Sequence, residues 1–478
     1  MNNAFLRAML GEVDYTKTEN NAKTLRSSGS AVLDLFAAGA AWRTRSEADI
    51  VEAIELAWLE SAELTLKCLF YLRDVRGGQG ERRTFRIALQ HLAKYHRDAL
   101  IPNLQHVAEY GRWDDLLSIS DAEFVTALLL KQLKSDLAAE RPSLLAKWMP
   151  SGNTASRATR NQAKSLMAAF GWTPRQYRKT LAGLRETLRV VERDMCAKRW
   201  GSIIYAHVPS NASLRYRKAF RKRDCERYTE YLASVKKGEV KINSGTLYPY
   251  DLVHQVWKNP GDDTVDLQWA ALPNYMDKPT NALVMADTSG SMTGRPIEVS
   301  ISLAIYIAER NQGPFHNLYM TFSSRPTICQ VSGKTLYEKV HKIKPIVENT
   351  DIMAAFREVL RLAKDSKATQ EEIPQMLLII SDMEFDQASA NNKHTNFEQA
   401  AHEFKLAGYR LPTVVFWQVD QRNRQQPVRQ HQSGAVLVSG MSPSILKQVM
   451  NFNQSPYDLM LKTLNSERYA PIALQIEK

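Results

Sequence analysis

The sequence predicts a multidomain chain: an all-α helical-repeat region of HEAT-like character, followed by a doubly wound, Rossmann-like α/β domain. Three observations predict it. The chain has 478 residues, too many for one ordinary core. From Ser46 to about residue 258, apolar residues recur at three- and four-residue spacing, broken by short Gly-containing turns. From about residue 281 onward, short apolar runs alternate with helical segments, as in a parallel sheet covered on both faces.

Residues 1–45 are polar and lack periodicity, so they read as an N-terminal segment with a poorly ordered start. Residues 46–258 read as the helical domain. In EADIVEAIELAWLESAELTLKCLFYLRD the residues Ile50, Ile54, Leu56, Ala57, Leu64, Leu66 and Phe70 form an apolar stripe, and Ser46 with Asp49 three residues on reads as its N-cap. RGGQG (76–80) breaks the helix, and TFRIALQHLAKY and LIPNLQHVAEYGRWDDLLSI follow. Helix, Gly turn, helix suggests stacked antiparallel helix pairs, although no repeat of fixed period is present. QYRKTLAGLRETLRVVERDMCAKRW and SLRYRKAFRKRDCERYTEYLASVKKGE are two more amphipathic stretches, the second stopped by Gly238. On it, Tyr216, Phe220, Tyr231, Leu232 and Val235 read as core, while Arg215, Lys218 and Lys222 occupy a different face. Residues 259–280, with Asn259-Pro260-Gly261, Pro273 and Pro279, read as a linker. In 281–478 the strands are ALVMAD (282–287), NLYMTF (317–322), MLLIISD (376–382), TVVFWQV (413–419) and AVLVSG (435–440). The helices between them include PIEVSISLAIYIAERN, DIMAAFREVLRLAKD and NFEQAAHEFKLAG.

Composition narrows the function classes. No apolar run reaches the ~18 residues of a membrane span, and the first twenty residues lack the apolar core of a secretory signal. A cytoplasmic location is expected. Cys68, Cys196, Cys225 and Cys329 are far apart and form no C-x-x-C pair, which argues against a zinc knuckle or a disulfide scaffold. They are expected to be reduced and mostly buried. No H-E-x-x-H is present. The chain carries 63 Lys and Arg against 51 Asp and Glu, and residues 141–260 alone carry 24 against 8. All of the positive excess therefore sits in one quarter of the chain. Such a patch suits a polyanion, nucleic acid above all; a solvated Lys- and Arg-rich helical surface is the other reading.

In doubly wound sheets, ligand sites lie at the carboxyl ends of the strands. Three polar clusters fall there: Asp287-Thr288-Ser289-Gly290-Ser291, Asn349-Thr350-Asp351 and Ser381-Asp382. They offer hard oxygen donors, which suit Mg²⁺ first, with Mn²⁺ or Ca²⁺ as alternatives. The candidate ligands of one divalent cation are Asp287, Ser289, Ser291, Thr350 and Asp382. The competing reading is that Asp287 and the serines only cap the next helix. Glu384 and Asp386 follow closely and read as flanking the loop or touching solvent. No dense carboxylate cluster for two-metal phosphodiester chemistry and no Ser-His-Asp pattern is recognisable, so an enzyme is not expected.

D-T-S-G-S, the downstream threonine and the later S-D resemble the metal-ion-dependent adhesion site (MIDAS) of von Willebrand factor A (vWA) domains. That resemblance implies that Ser289, Ser291 and Thr350 ligate the metal directly. It implies that Asp287 and Asp382 act mainly through water, and that one position stays open for an acidic group of a partner. Glu348-Asn349 stand before Thr350 where many A domains have glycines. Upstream, RDVRGGQGER (73–82) resembles an element of the TROVE module of the Ro autoantigen and its bacterial relatives, and GRWDDLL (111–117) fits the same module. AKWMPSGN, QYRKTLAGLR, AHVPSNASLRYRKAF and ERYTEYLASVKKGE resemble a family of plants, fungi, bacteria and phages that joins a TROVE-like helical region to an A domain. The resemblance runs from about residue 30 to 470. It implies a ribonucleoprotein whose helical region binds small noncoding, structured or misfolded RNA. The candidate RNA contacts are Arg73, Arg76, Arg82, Lys147, Arg157, Arg160, Lys164, Arg175, Lys179, Arg215, Lys218 and Lys222. RGGQG could offer backbone N–H groups to phosphate or serve as an inter-helix turn; it lacks the G-K-[ST] of a P-loop. The alternative function is a metal-dependent adaptor that takes an Asp or Glu of a protein partner at the open metal position. No membrane partner is expected.

Overall fold

The computed structural model describes residues 15–258, 260–276, 278–321, 324–343, 350–387, 394–450 and 454–474. It begins with a hairpin, β1 (Tyr15–Lys17) paired antiparallel with β2 (Lys23–Leu25). Helix α1 (Ala31–Ala38) follows, started by Ser30, whose side chain accepts from the Leu33 N–H. Val32, Leu33, Leu35 and Phe36 on α1 are fully buried, each burial contributing about 1.5–3 kcal/mol. The polar N-terminal segment of the sequence reading is thus structured from residue 15 on, and the start expected to be poorly ordered falls outside the described residues.

The helical region runs through α2 (Glu47–Glu60), α3 (Ala62–Arg73) and α4 (Arg83–Tyr95). It continues with α5 (Glu123–Ala138), α6 (Arg157–Phe170) and α7 (Pro174–Thr187). Ser46 caps α2 by accepting from the Asp49 N–H, as its spacing predicts. Gly171, at φ +64°, ends α6 in the left-handed conformation that favours glycine. Helices α8 (Ser210–Arg223) and α9 (Cys225–Lys236) close a small core of their own with Tyr205, Phe220 and Tyr228, so the aromatics of this stretch serve packing. Helices α10 (Pro249–Lys258) and α11 (Asp263–Ala270) come next. The expected linker therefore contains a helix, α11, whose Val265 and Trp269 are buried.

The α/β part is one sheet of six strands in the order β5-β4-β3-β6-β7-β8. The strands are β3 (Ala282–Ala286), β4 (Leu318–Thr321), β5 (Ile328–Gln330), β6 (Met376–Ser381), β7 (Thr413–Gln418) and β8 (Ala435–Ser439). All pairings are parallel except that of the short edge strand β5, which the sequence reading missed. Helices α12 (Arg295–Arg310), α13 (Leu336–Lys342), α14 (Ile352–Ser366), α15 (Asn396–Leu406) and α16 (Pro456–Leu464) accompany it. Alternate strand residues go to opposite faces. Leu283, Met285, Ile379 and Leu437 join one continuous core with α1–α7, α14 and α15. Val284, Ile380, Trp417 and Val438 join the other, with α10–α12. The helical region therefore shares the sheet's core.

The joint between the two parts is the RDVRGGQGER turn. Arg73 is 2% exposed and pairs with the fully buried Asp115 at 2.7 Å, and Arg86 pairs with the same carboxylate at 2.8 Å, so the segments RDVRGGQGER and GRWDDLL meet at Asp115. Gly111 has no room for a side chain there: a Cβ would lie 2.5 Å from Asp115 Oδ2. Buried Asp74 accepts from the Arg468 guanidinium and from the Tyr469 hydroxyl, which ties the C-terminal segment to the turn. The turn's amides are used internally: Gln79 N–H donates to the Tyr71 carbonyl, Gly80 N–H to Asp74, and Glu81 N–H to Leu72. These internal bonds support the inter-helix turn reading of RGGQG. All four cysteines are free, but only Cys68 is buried; Cys196 and Cys225 are exposed and Cys329 is half-buried, against the expectation of mostly buried thiols. Among the described residues no helix is long and apolar enough to cross a membrane.

Candidate metal centre and basic surfaces

The parallel ladder delivers two acids side by side. β3 and β6 pair in register, Ala286 opposite Ile380, and Asp287 and Ser381-Asp382 follow at their carboxyl ends. Asp287 N–H donates to the Ile380 carbonyl, extending the ladder by one bond. Asp287 Oδ1 accepts from the Ser289 N–H at 2.9 Å and Oδ2 from the Ser381 hydroxyl at 2.6 Å. The Ser289 and Ser291 hydroxyls lie 3.0 Å apart. Thr350 is buried, and its carbonyl accepts from the Asp386 N–H, which brings the second loop against the third. Asp351 caps α14 through Ala354 N–H and so points away from ligand duty. Glu348 and Asn349 lie outside the described residues.

Electrostatically the site is short of positive charge. Burial, then the Asp382 carboxylate, pushes Asp287 up to about 6. Burial also raises Asp382, opposed by the Ser291 hydroxyl, the Glu384 N–H and Arg422. Asp382 Oδ2 is buried without a hydrogen-bond partner among the described residues. An orphaned carboxylate oxygen beside two hydroxyls and a second carboxylate is the donor set a hard divalent cation takes. The residues present fit such an ion.

Three further side chains crowd the centre. Glu384 does not flank the loop in solvent: it is 1% exposed, its Oε2 accepts from the Glu19 N–H, and burial raises its pKa. Asp386 is half-buried and likewise raised by burial. Asp420, just past β7, is buried, and burial raises it too. Arg422 donates to the Ser291 carbonyl at 2.5 Å and lies 3.6 Å from Glu19. The N-terminal hairpin thus lies against the loops of the centre, its Thr18 hydroxyl donating to the Phe385 carbonyl at 2.7 Å. Asp420 obeys the same strand-end rule that identified Asp382 and could have been found by it. Nothing in the polar N-terminus signals Glu19.

The candidate RNA contacts divide by environment. Arg73 is a correction: a guanidinium sealed against Asp115 cannot reach a phosphate. Arg76 is exposed, but its guanidinium donates to the Glu109 carbonyl. Arg82 is exposed beside Arg86 and Arg112; burial and these two cations lower its pKa. Lys147 is half-buried against Trp148. Arg160 donates to the Thr154 and Ala155 carbonyls at 2.6 and 2.7 Å, holding the turn before α6. Arg157, Lys164, Arg175 and Lys179 are exposed on α6 and α7, and Arg215, Lys218 and Lys222 on α8. A groove of about 610 Å³ lies between α8, α10 and the start of α12, lined by Arg215, Arg217 and Arg295 together with Asp251, His254 and Glu298.

Comparison with known proteins covers nearly all of the chain. A family model described as a domain of unknown function (DUF2828) matches residues 18–132 and 154–281. A second, also described as a domain of unknown function (DUF7788), matches residues 281–467. A relative described as an uncharacterised protein of Acanthamoeba polyphaga mimivirus is 31% identical over 511 aligned positions, covering 96% of this chain and 89% of the relative.

Proposed function

The chain belongs to the DUF2828 family, here followed by a DUF7788 domain, and from this premise we propose that it is an RNA-binding protein of Ro-like organisation. Its helical region is TROVE-like, with HEAT-like helix pairs, and its α/β part is a vWA-type domain holding one Mg²⁺. It is not an enzyme, and it acts in the cytoplasm. One observation carries the RNA reading. Arg157, Lys164, Arg175, Lys179, Arg215 and Lys222 are exposed and make no ion pair among the described residues. Arginines of the same region that serve the fold look different: Arg185 donates to the Ala146 and Met149 carbonyls, and Arg217 to Asp262. Cations left uncompensated on a helical surface bind phosphates and release counterions, which gives strong salt dependence and modest sequence preference.

The test is RNA capture. The full chain, purified at moderate salt, is expected to retain RNA, and reversal of Arg157, Lys164, Arg175 and Lys179 to Glu is expected to abolish retention. Each lost phosphate contact lowers the slope of log affinity against log salt by about 0.7–0.9. Salt-insensitive affinity, or retention by the reversed variant, would overturn the reading.

At the metal centre, Ser289, Ser291 and Thr350 would hold the ion by hydroxyl oxygen, and Asp287 and Asp382 would hold it through water. Mg²⁺ supplies a Lewis-acidic point of attachment for a carboxylate. The buried, partnerless Asp382 Oδ2 therefore favours a second reading, a metal-dependent adaptor for an acidic protein partner. A partner captured after nuclease treatment, and lost with EDTA and with Asp287→Ala, would support that reading.

A further inference from the structure

A second cluster, remote in sequence from the loops described above, has nitrogen as well as oxygen donors. Glu55 stands on α2, His91 on α4, and His96 immediately beyond the end of α4. Nε2 of His91 and Nε2 of His96 both meet the same oxygen of Glu55, His96 at 2.7 Å. The three ligand atoms lie within 4.8 Å of one another. We propose that Glu55, His91 and His96 form a Zn²⁺ site.

The rings are already aimed. His96 packs at a tilt on Trp58 at 4.3 Å between centroids, and His91 on Tyr95 at 4.9 Å. The centroids of the two imidazoles are 5.7 Å apart. Glu55 and His91 stand on helices fixed by the buried Ile54 and Ala57 on α2 and Leu89 and Leu92 on α4, and His96 is the residue that caps the end of α4. Rigid elements of this kind hold ligands in place. Zn–N and Zn–O bonds of about 2.0–2.2 Å in tetrahedral geometry need donors roughly 3.4 Å apart. The His96–Glu55 contact would have to open by about 0.7 Å from its 2.7 Å, and the shorter His91–Glu55 contact by more. Two imidazoles and a carboxylate select Zn²⁺ and its borderline neighbours over Mg²⁺. Glu55 is 36% exposed, which gives an entry path and room for water as a fourth ligand. This centre is independent of the RNA reading and of the oxygen site at Asp287.

The experiment uses the full chain, stripped of metal and titrated with Co²⁺ and then Zn²⁺. Expected are one equivalent of Co²⁺ with intense visible bands of low coordination number, displaced by Zn²⁺, in both wild type and Asp287→Ala. His91→Asn and His96→Asn should each weaken binding at least about tenfold, with circular dichroism unchanged. His96→Cys should restore it and add a thiolate charge-transfer band. Absence of stoichiometric Co²⁺ in wild type, or bands that persist in His91→Asn and His96→Asn, would overturn the proposal.

Discussion

Arg73 and Arg175 look alike in the sequence and differ completely in the fold. Arg175 stands in solvent, while Arg73 is sealed against Asp115. Charge counts register both as basic, because the pairing that neutralises one of them comes from a residue 42 positions away. The placement of Asp287 and Asp382 was legible for the opposite reason: each follows an apolar strand, so position along the chain specifies position in space, whereas Thr350 follows no strand among the described residues. Removing Arg73 leaves buried Asp115 with Arg86 alone as its ion-pair partner, at 2.8 Å, which costs about 1.5–3 kcal/mol, the worth of a hydrogen bond to a charged group. Arg73→Ala is therefore expected to lower unfolding stability by that much in urea titration, with RNA affinity of the folded fraction unchanged. A stable variant with weakened RNA binding would return Arg73 to the ligand surface. Asp287→Ala is expected to abolish Mn²⁺ binding by electron paramagnetic resonance. The metal-free protein should melt no lower than wild type, since the substitution removes a buried carboxylate crowded by Asp382. Undiminished Mn²⁺ affinity would remove Asp287 from the centre.

Among elements, the long amphipathic helices and the apolar parallel strands were readable because their periods repeat over many residues. Strands of three residues escape such a test, and β1, β2 and β5 are of that length. Helix α11 was hidden by the Pro and Gly residues on either side of it. The RGGQG turn was read from composition, but its role became visible only in its contacts. Gly80 sits at φ +69°, and a Cβ there would lie 1.8 Å from the Tyr248 hydroxyl. Gly80→Ala is expected to cost at least about 2 kcal/mol, combining backbone strain with the clash. Adding Tyr248→Phe should recover part of that loss in a double-mutant cycle. Full additivity of the two substitutions would show that the turn relaxes away from Tyr248.

For the whole molecule, a boundary at residue 281 in the sequence is not a boundary in the core. Helix α1 packs with β8 and α16, and Ala435, Leu437 and Met460 belong to the same buried cluster as Val32 and Phe36. A fragment of residues 281–478 is expected to expose this face and to aggregate or melt far below the full chain. Fusion of residues 15–45 should restore part of the difference. A fragment that is monomeric and melts like the full chain would show that the face tolerates water. The hairpin near residue 20 bonds to the loops near residues 384 and 426, and Asp74 grips Arg468. On the ribosome, neither half can finish until the segment around Met460 and Arg468 has left the exit tunnel, a wait on the order of 20–100 s at ordinary elongation rates. The nascent chain must spend that interval with the seat of α1 unbuilt, so its yield in the cell depends on whatever shields that helix until β8 and α16 emerge.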